Sequence, residues 1–333
     1  MSVLCIVFWV SSFIGVITIV IHLYKVKVQK KLIFEDDFNS FNRNIWHHDP
    51  NTKAHEMEFQ LYTSSVINSY TEDGILHIRP TIELDPEELH NGSTNFHPIR
   101  SARISTQYSF AFTYGTVEIR ARIPIGDWLF PALWLMPKQS VFGNWPLSGE
   151  IDIMEARCNR NYTNSIGEPI GANQVGATLH FGMNSSTDAW RFAHMVKNSD
   201  SYYSSDFHVY KMVWTPEKVS FYIDDEDMGP AIEPLDGGFF SLGNFSSNIN
   251  NPWINGSNMS PFDQEFYLII NLAVGGVNFF SDSNINEGGK PWLNSAVNPG
   301  LDFWKGRRQW LPTWNMASDS THFLIDYVRV YSL

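Results

Sequence analysis

Apolar and polar residues alternate over short stretches of this chain, which is the pattern of β-strands with one buried face. In residues 115–123, the apolar Val117, Ile119 and Ala121 alternate with charged residues at positions 118, 120 and 122. Residues 209–214 and 219–223 are two further stretches of this kind, and Pro216 in the turn between them predicts a hairpin. Residues 266–274 are continuously apolar, which predicts a central strand.

Helical patterns are scarce. Apart from an apolar run near the N-terminus, no long segment repeats its apolar residues with the 3.6-residue period of a helix. Many short strands separated by turn residues indicate an all-β fold, either an antiparallel β-sandwich or a barrel. Residues 32–333 contain no linker, charge block or internal repeat that would divide them, so we expect one large domain there.

The N-terminal apolar run covers residues 3–21 and is interrupted only by small or hydroxylated residues. It exceeds the roughly 7–15 residues of a signal-peptide core and approaches the ~20 residues that span a bilayer. No basic residue precedes the run and no clear cleavage site follows it. Residues 1–31 therefore favour a single-pass signal-anchor helix slightly over a cleaved signal peptide.

Two features predict opposite locations for the rest of the chain. Lysines at positions 25, 27, 30 and 31 would hold the C-terminal side in the cytosol by the positive-inside tendency. Six N-glycosylation sequons favour an extracellular or secretory-lumen domain instead, and we give them more weight. Their asparagines are Asn91, Asn161, Asn184, Asn244, Asn255 and Asn258.

Composition narrows the class of partner. The net charge of −12 argues against nucleic acid and anionic membrane surfaces, which require basic patches, and is compatible with a neutral polysaccharide. Aromatic residues make up 15% of the chain, and we expect most in the core and a minority on sugar faces. We expect no disulfide between Cys5 and Cys158, and a monomer that meets a membrane only through its N-terminal segment.

The strongest candidate chemistry lies in one short apolar segment that carries Glu150, Asp152 and Glu155. The segment has the composition of a strand, in which Glu150 and Asp152 share one face and Glu155 points to the other. One extra residue, at Ile153 or Met154, would form a β-bulge and return Glu155 to the face of the other two acids. Three carboxylates on one patch resist joint ionisation, so their pKa values must spread.

Three interpretations of this patch stay open. A charged, exposed strand face is common, but the neighbouring residues 128–145 are strongly apolar and aromatic, which argues against simple solvation. A calcium site is the second, although the segment lacks the sharp-turn glycine of an EF-hand. The third is catalysis by paired carboxyl groups, which retaining glycosidases hold about 5–5.5 Å apart. Long side chains leaning across a bulge would bring Glu150 and Glu155 towards that distance.

Motifs in a fixed order give the chain a family resemblance. They are residues 32–36 (LIFED), 101–104 (SARI), 114–120 (YGTVEIR), 126–137 (GDWLFPALWLMP), 144–146 (NWP), 149–157 (GEIDIMEAR), 178–182 (TLHFG), 261–264 (PFDQ), 273–276 (AVGG) and 325–330 (IDYVRV). With these motifs the chain resembles glycoside hydrolase family 16 over nearly everything after residue 31. The likeness is greatest to its animal β-1,3-glucanases and the related β-1,3-glucan recognition proteins.

The resemblance implies a fold, residue roles and a reaction. It implies a jelly-roll β-sandwich of the concanavalin A type, with the acids on the concave sheet. It implies that Glu150 is the nucleophile, Glu155 the general acid/base, and Asp152 a residue that hydrogen-bonds the nucleophile and tunes its charge. The longer spacing between the glutamates fits the laminarinase-like branch. We therefore expect an endo-β-1,3-glucanase that hydrolyses β-1,3-glucan with retention through a covalent glycosyl-enzyme, with no cofactor for catalysis.

Other functions stay open within the resemblance. The β-1,3-glucan-binding recognition proteins of innate immunity characteristically lack the catalytic glutamates, and this chain retains both. Another family 16 specificity, such as mixed-linkage glucan or transglycosylation, is a second alternative. A calcium-dependent adhesion protein is a third, and it would place metal at the acids.

Five further residues are candidates for substrate binding. Trp134 and Trp145 flank the acid segment, and core packing is an equal alternative for each. A lone histidine is more often structural, but the resemblance places His180 beside the acid/base residue, where it would bond a carboxylate or a sugar hydroxyl. Arg157 and Asn159 follow the acids and are expected to touch sugar.

A structural calcium is a further expectation. Asp326 shares its parity with the apolar residues of its strand, and a buried carboxylate needs a partner. Many family members hold a calcium between their terminal strands, and the resemblance places Glu35, Gly74 and Asp326 at its ligand positions. Backbone amides or Arg329 are equally good partners for this carboxylate.

Overall fold

The computed structural model describes residues 30–50, 58–83 and 98–333 of the chain. The predicted N-terminal anchor helix, Cys5 and the sequon at Asn91 lie outside these ranges. A search of the described ranges finds no helix that is long and apolar enough to cross a membrane.

Strands make up most of the regular structure, as the alternating pattern predicts. In chain order they are β1 (Leu32–Asp36), β2 (His47–His48), β3 (Gln60–Tyr62), β4 (Ser69–Glu72), β5 (Ile75–Ile78), β6 (Thr81–Ile82), β7 (Ile99–Ser101), β8 (Arg103–Ser105), β9 (Gly115–Arg122), β10 (Leu129–Pro137), β11 (Glu150–Ala156), β12 (Tyr162–Thr163), β13 (Gln174–His180), β14 (His194–Asn198), β15 (His208–Trp214), β16 (Val219–Ile223), β17 (Glu226–Asp227), β18 (Phe266–Val274), β19 (Ile285–Asn286) and β20 (Phe323–Tyr331). The helices are short: α1 (Gly238–Leu242), α2 (Pro299–Lys305) and α3 (Arg307–Trp310).

Two large antiparallel sheets form the body of the molecule. The eight-stranded sheet has the order β17-β16-β15-β9-β20-β5-β4, with β1 also paired to β20. The seven-stranded sheet has the order β14-β13-β11-β10-β18-β8-β2, so the acid-bearing strand β11 lies near its middle. Two small sheets, β3-β7-β6 and β12-β19, complete the fold, and β3 and β7 run parallel.

One large hydrophobic core joins the two sheets. Strand β9 contributes Val117, Ile119 and Ala121 to it, and β10 contributes Leu133 and Leu135, all of them buried. Burying a side chain of valine, leucine or isoleucine is worth about 1.5–3 kcal/mol, so the inner face of each strand is strongly specified. The outer face of the seven-stranded sheet is therefore left for polar and functional side chains.

The predicted strands are found where the alternation placed them. Strand β9 ends one residue before its predicted limit, β15 begins one residue early, and β16 and β18 have the predicted bounds. Strands β15 and β16 pair as the predicted hairpin. The prediction of an antiparallel all-β fold is confirmed, whereas the domain bounds of 32–333 stay a prediction.

The prediction that Asp326 lies on an apolar strand face is wrong. The register of β20 shifts between Ile325 and Tyr327, which marks an irregularity that reverses the alternation. Ile325 and Val328 both enter the core, and Asp326 is only partly buried. Its carboxylate pairs with the guanidinium of Arg120 at 2.5 Å.

Candidate active site

A β-bulge in β11 shifts the acids relative to the neighbouring strands. On β10, Leu133 pairs with Met154 and the next residue, Trp134, pairs with Asp152. Ile153 is therefore the extra residue that has no partner on β10. The bulge predicted from the spacing of the acids is confirmed.

The bulge places all three acids on the outer face of the seven-stranded sheet. The apolar residues between them belong to the core, so Glu150, Asp152 and Glu155 point away from it; this outer surface is called the acid face below. On β13, Glu150 lies opposite His180 and Glu155 lies opposite Gly176. Those partners are four residues apart, about 13 Å along a strand, so the glutamate side chains must lean towards Asp152 to act together.

Trp134 forms part of the floor of the acid face. It is 7% exposed and packs with Ala132, Tyr267 and Ile269 in a small apolar cluster separate from the main core. Its indole Nε1 donates a hydrogen bond to Asn271 Oδ1 at 2.6 Å. The structure therefore places Trp134 on the predicted face, with little of its ring open to a ligand.

Trp145 lies against Glu150 at the edge of the acid face. Its indole Nε1 donates a hydrogen bond to Glu150 Oε2 at 2.7 Å, and the residue is 40% exposed. The chain enters β11 at Gly149 with φ of 84°, and a Cβ there would lie 2.8 Å from the ring of Phe262. Glycine is thus needed at the turn that orients Glu150. An exposed indole beside a carboxylate is well suited to stack on a sugar ring.

His180 links two carboxylates. Its Nε2 lies 3.2 Å from Asp152 Oδ2, and its Nδ1 lies 2.6 Å from Asp188 Oδ2. The prediction that His180 lies beside Glu155 is wrong, because the pairing of β13 with β11 places it opposite Glu150 instead. The prediction that it bonds a carboxylate is confirmed.

Electrostatics favour the charged form of His180. Burial disfavours the charged imidazolium, but the hydrogen bonds to Asp152 and Asp188 and the nearby charge of Glu150 raise the pKa of His180 well above 6.5. The surrounding carboxylates therefore stabilise a positive charge on this imidazole.

Asp152 is the central group of the acid face. Burial, followed by repulsion from Glu155, raises its pKa to about 6, although hydrogen bonds to His180 and Glu150 oppose that shift. Both glutamates therefore interact with Asp152. A carboxyl group that gains and loses a proton close to neutral pH is suited to share that proton with a neighbouring acid.

Arg157 braces a loop at one end of the acid face. Its Nε and Nη2 donate to the carbonyl oxygen of Phe279 at 3.1 and 3.0 Å, and its guanidinium carbon lies 4.0 Å from the centre of that ring. Phe130 stacks on the same ring with centroids 3.7 Å apart. Sugar binding by Arg157 stays a prediction, because its donors already serve this loop.

The prediction that Asn159 touches sugar is wrong. Asn159 is fully buried; its Oδ1 accepts from the backbone N–H of Trp128 at 3.0 Å and its Nδ2 donates to Asn286 at 2.9 Å. Strand β11 ends at Ala156, so Asn159 lies in the loop that follows. The alternation of side chains along a strand therefore does not predict which way Asn159 points. Its role is to satisfy buried polar groups of the loops.

Strand β11 lies inside the part of the chain that matches a known family. Residues 43–231, more than half of the sequence, match the profile described as glycosyl hydrolases family 16. The chain belongs to glycosyl hydrolases family 16. The family resemblance of the sequence motifs is thereby confirmed.

Several relatives of this family 16 chain are animal proteins named for binding glucan or bacteria. The β-1,3-glucan-binding protein of Penaeus monodon is 34% identical, over 91% of this chain and 90% of that protein. β-1,3-Glucan-binding protein 1 of Galleria mellonella is 31% identical, and Gram-negative bacteria-binding protein 2 of Drosophila melanogaster is 32% identical. The chain spans 64% and 65% of the length of these last two proteins.

Solved structures with a similar fold include laminarinases. The laminarinase from Rhodothermus marinus has a TM-score of 0.61 and 25% identity, covering 91% of this chain and 97% of that one. The laminarinase catalytic domain from Thermotoga maritima has a TM-score of 0.60 at 22% identity, covering 91% and 98%, which shows the fold alone. These likenesses confirm the family 16 sandwich architecture.

The side chains expected to hold calcium in this family 16 chain are paired with arginines. Glu35 accepts from Arg329 at 2.8 Å, and Asp326 pairs with Arg120. Gly74 occupies a tight turn with φ of 76°. The carboxylates are already neutralised and do not form a cation cage, so a structural calcium stays a prediction. An arginine was expected to pair with Asp326. That partner is Arg120 of the neighbouring strand β9, and not Arg329.

Three polar residues of the acid face were not among the candidates from the sequence. Thr178 lies opposite Asp152, and its Oγ1 is 2.9 Å from Nδ1 of His194 on β14. Thr178 lies two residues before His180 in the same strand, so the two side chains share one face, and this spacing could have identified Thr178 from the sequence. Asp188 follows a 3₁₀ turn, and no local pattern marks it.

Proposed function

We propose that the acid face binds β-1,3-glucan and hydrolyses it with retention of configuration. The main support for this proposal is the bulge at Ile153, which puts Glu150 and Glu155 on one face with Asp152 between them. Retaining glycosidases require two carboxyl groups on one face, about 5–5.5 Å apart, one as nucleophile and one as acid/base, and side chains that lean towards Asp152 would approach that spacing.

The substrate class is supported by the relatives and by the aromatic edge of the site. Relatives that include the proteins of Penaeus monodon and Galleria mellonella are named for β-1,3-glucan binding, and the similar structures include laminarinases. Trp145 offers an exposed indole directly beside Glu150, and Trp134 lies beneath. Stacking on flat aromatic faces suits a neutral sugar polymer, which the acidic net charge does not repel.

In the proposed reaction, Glu155 protonates the departing glycosidic oxygen while Glu150 attacks the anomeric carbon. The N–H of Trp145 and the positive charge of His180 favour the anionic form of Glu150. Asp152 places a carboxyl group between the two glutamates and limits the negative charge they can carry together. Water, activated by the deprotonated Glu155, then releases the sugar from Glu150. These steps need no cofactor.

The test is reducing-end release from laminarin by purified wild type, Glu150→Gln and Glu217→Gln. Glu217 lies exposed in the turn of the β15–β16 hairpin and serves as the matched control. We expect activity in wild type and control, and loss of at least about 10³-fold in Glu150→Gln with laminarin binding retained, because the nucleophile is removed. Full turnover by Glu150→Gln would refute the assignment.

Glucan recognition without hydrolysis is the second candidate function, and the names of the curated relatives favour it. The same assay separates the two candidates. A folded wild type that binds laminarin but releases no reducing ends would establish recognition and reject hydrolysis.

An extracellular location is proposed for the family 16 domain. The sequon asparagines within the described ranges are all exposed; they are Asn161, Asn184, Asn244, Asn255 and Asn258. Exposure makes them accessible to glycosylation in the secretory pathway. A mass decrease on treatment of the cell-derived protein with an N-glycosidase is the expected result, and an unchanged mass would contradict it. The membrane anchor and the monomeric state stay predictions.

A further inference from the structure

Three side chains of the acid face have their donor atoms gathered as in a metal site. One ligand atom each from Glu150, Asp152 and His180 lies within 4.8 Å of the other two. His180 Nε2 and Asp152 Oδ2 are 3.2 Å apart. Two donors bound about 2.0 Å from a tetrahedral zinc ion lie about 3.3 Å apart, so this pair already has the spacing of two zinc ligands.

A buried oxygen within this group has no well-aligned hydrogen bond. Asp152 is 2% exposed, and among the described residues the imidazole of His180 lies 3.2 Å from its Oδ2 without the geometry of a full hydrogen bond. A buried carboxylate oxygen in this condition costs free energy, which a bound cation would recover. This oxygen is the one that lies 3.2 Å from Nε2 of His180, a member of the same group.

The outer contacts also resemble those of a metal centre. His180 contacts Asp188 through Nδ1, which leaves Nε2 on the side of the acids. Metal-binding histidines usually donate their second ring nitrogen to a carboxylate in this way. Glu150 is in turn held by the indole N–H of Trp145 at 2.7 Å. Both ligand side chains are thus oriented by neighbours that would not touch the ion.

The donor set favours zinc over harder cations. Calcium and magnesium prefer shells made of oxygen, whereas zinc accepts imidazole nitrogen together with carboxylate oxygen. Zinc binds the neutral imidazole, so the Nε2 proton of His180 leaves to solvent as zinc binds. Two carboxylates and one imidazole then leave a fourth tetrahedral position for water. The carboxylates of Glu155 and Asp188 add negative potential around the group.

We propose that Glu150, Asp152 and His180 form a zinc-binding site, and that zinc bound there blocks the acid face. The ion engages the carboxylate assigned as nucleophile, so zinc and glucan compete for one surface. Zinc binding is independent of the proposed hydrolysis, whereas inhibition by zinc rests on it. In this account free zinc acts as an inhibitor of the protein.

Zinc binding is measured by isothermal titration of the full chain with zinc chloride, at neutral pH in a buffer that does not bind metal. The variants are His180→Gln, Asp188→Asn and a matched control, His208→Gln. His208 lies on the other sheet, and its Nδ1 is 2.6 Å from Asp224 Oδ2. The His208→Gln control therefore removes a histidine–carboxylate pair outside the acid face. Melting temperatures confirm that each variant is folded.

The expected result is a zinc site in wild type that His208→Gln retains and His180→Gln loses. Asp188→Asn should weaken zinc binding about 10–100-fold, because its carboxylate orients the histidine without touching the ion. Absence of zinc binding by wild type, or equal affinity in folded His180→Gln, would overturn the proposal. Equal affinity for calcium at this site would overturn the choice of metal.

A competition experiment separates this proposal from the proposed function. Laminari-oligosaccharide should weaken zinc binding to wild type, and zinc should inhibit laminarin hydrolysis until a chelator is added. Zinc binding in a protein that does not hydrolyse laminarin would reject the hydrolase function alone. Hydrolysis that saturating zinc leaves unchanged would reject the zinc proposal alone.

Discussion

Acid should destabilise this fold through a buried pair of histidines. His77 in β5 and His322, which directly precedes β20, are each 7% exposed, and their Nδ1 atoms lie 3.1 Å apart. At that distance one Nδ1 must carry a proton and the other must accept it. Burial, the neighbouring His77 and Arg79 lower the pKa of His322 to about 4, and burial also lowers the pKa of His77.

The direction of the pH dependence follows from this lowered pKa. The unfolded chain takes up a proton at His322 near its ordinary pKa of 6.5, whereas the folded protein takes it up only near pH 4. The unfolded state therefore binds more protons in between, and stability falls as pH falls from 6.5 to 4. Between pH 6.5 and pH 4, protonation of His322 in the unfolded chain lowers the free energy of unfolding by about 3 kcal/mol. Solvent screening of the neighbouring charges reduces this loss to about 2 kcal/mol.

The assay is urea unfolding of wild type and His322→Gln at pH 7 and pH 4. Glutamine keeps a hydrogen-bonding group near His77 but does not titrate in this range. All other ionisable groups are common to both proteins, so their contribution cancels in the comparison. Wild type should lose about 2 kcal/mol more than the variant between the two pH values. Equal losses would refute the reasoning, and His208→Gln, which lies outside the histidine pair, should behave as wild type.

Three further predictions concern the site. Trp145→Phe removes the hydrogen bond to charged Glu150, worth about 1.5–3 kcal/mol, and should lower kcat on laminarin at least tenfold; an unchanged kcat would contradict this role. Asp188→Asn removes a carboxylate that raises the pKa of His180 and should move the alkaline limb of the pH–rate profile to lower pH; an unmoved limb would exclude this coupling. Asn159→Ala should lower the free energy of unfolding by about 1–3 kcal/mol with KM unchanged; a raised KM at unchanged stability would restore the sugar contact.

Most of the fold follows from local patterns in the sequence. Strands with one buried face, such as β9 and β15, show the two-residue period directly. The bulge at Ile153 was also predictable, because an uneven spacing of three acids requires an extra residue if they are to share one face. Local alternation and elementary strand geometry are sufficient at these positions.

The second irregular strand shows where this reasoning stops. In β20 a register shift after Ile325 reverses the alternation, and no uneven spacing of like residues marks it. Alternation along the sequence therefore predicts the apolar face for Asp326, which is wrong. A bulge is visible in a sequence only when functional residues on both sides of it must point the same way.

Contacts between distant segments account for the remaining differences. Asp188 reaches His180 from a turn eight positions later, and Asn286 reaches Asn159 from β19. No period or motif in either segment specifies these partners. The position of His180 opposite Glu150 depends on the pairing of β13 with β11.

The most direct test of the central claim is proton NMR of the anomers released from laminarin by the purified protein. Two carboxyl groups acting from one face, with Glu150 as nucleophile, predict that the β-anomer appears first and then mutarotates to the equilibrium mixture. Initial release of the α-anomer, or no release by a folded protein that binds laminarin, would contradict the account.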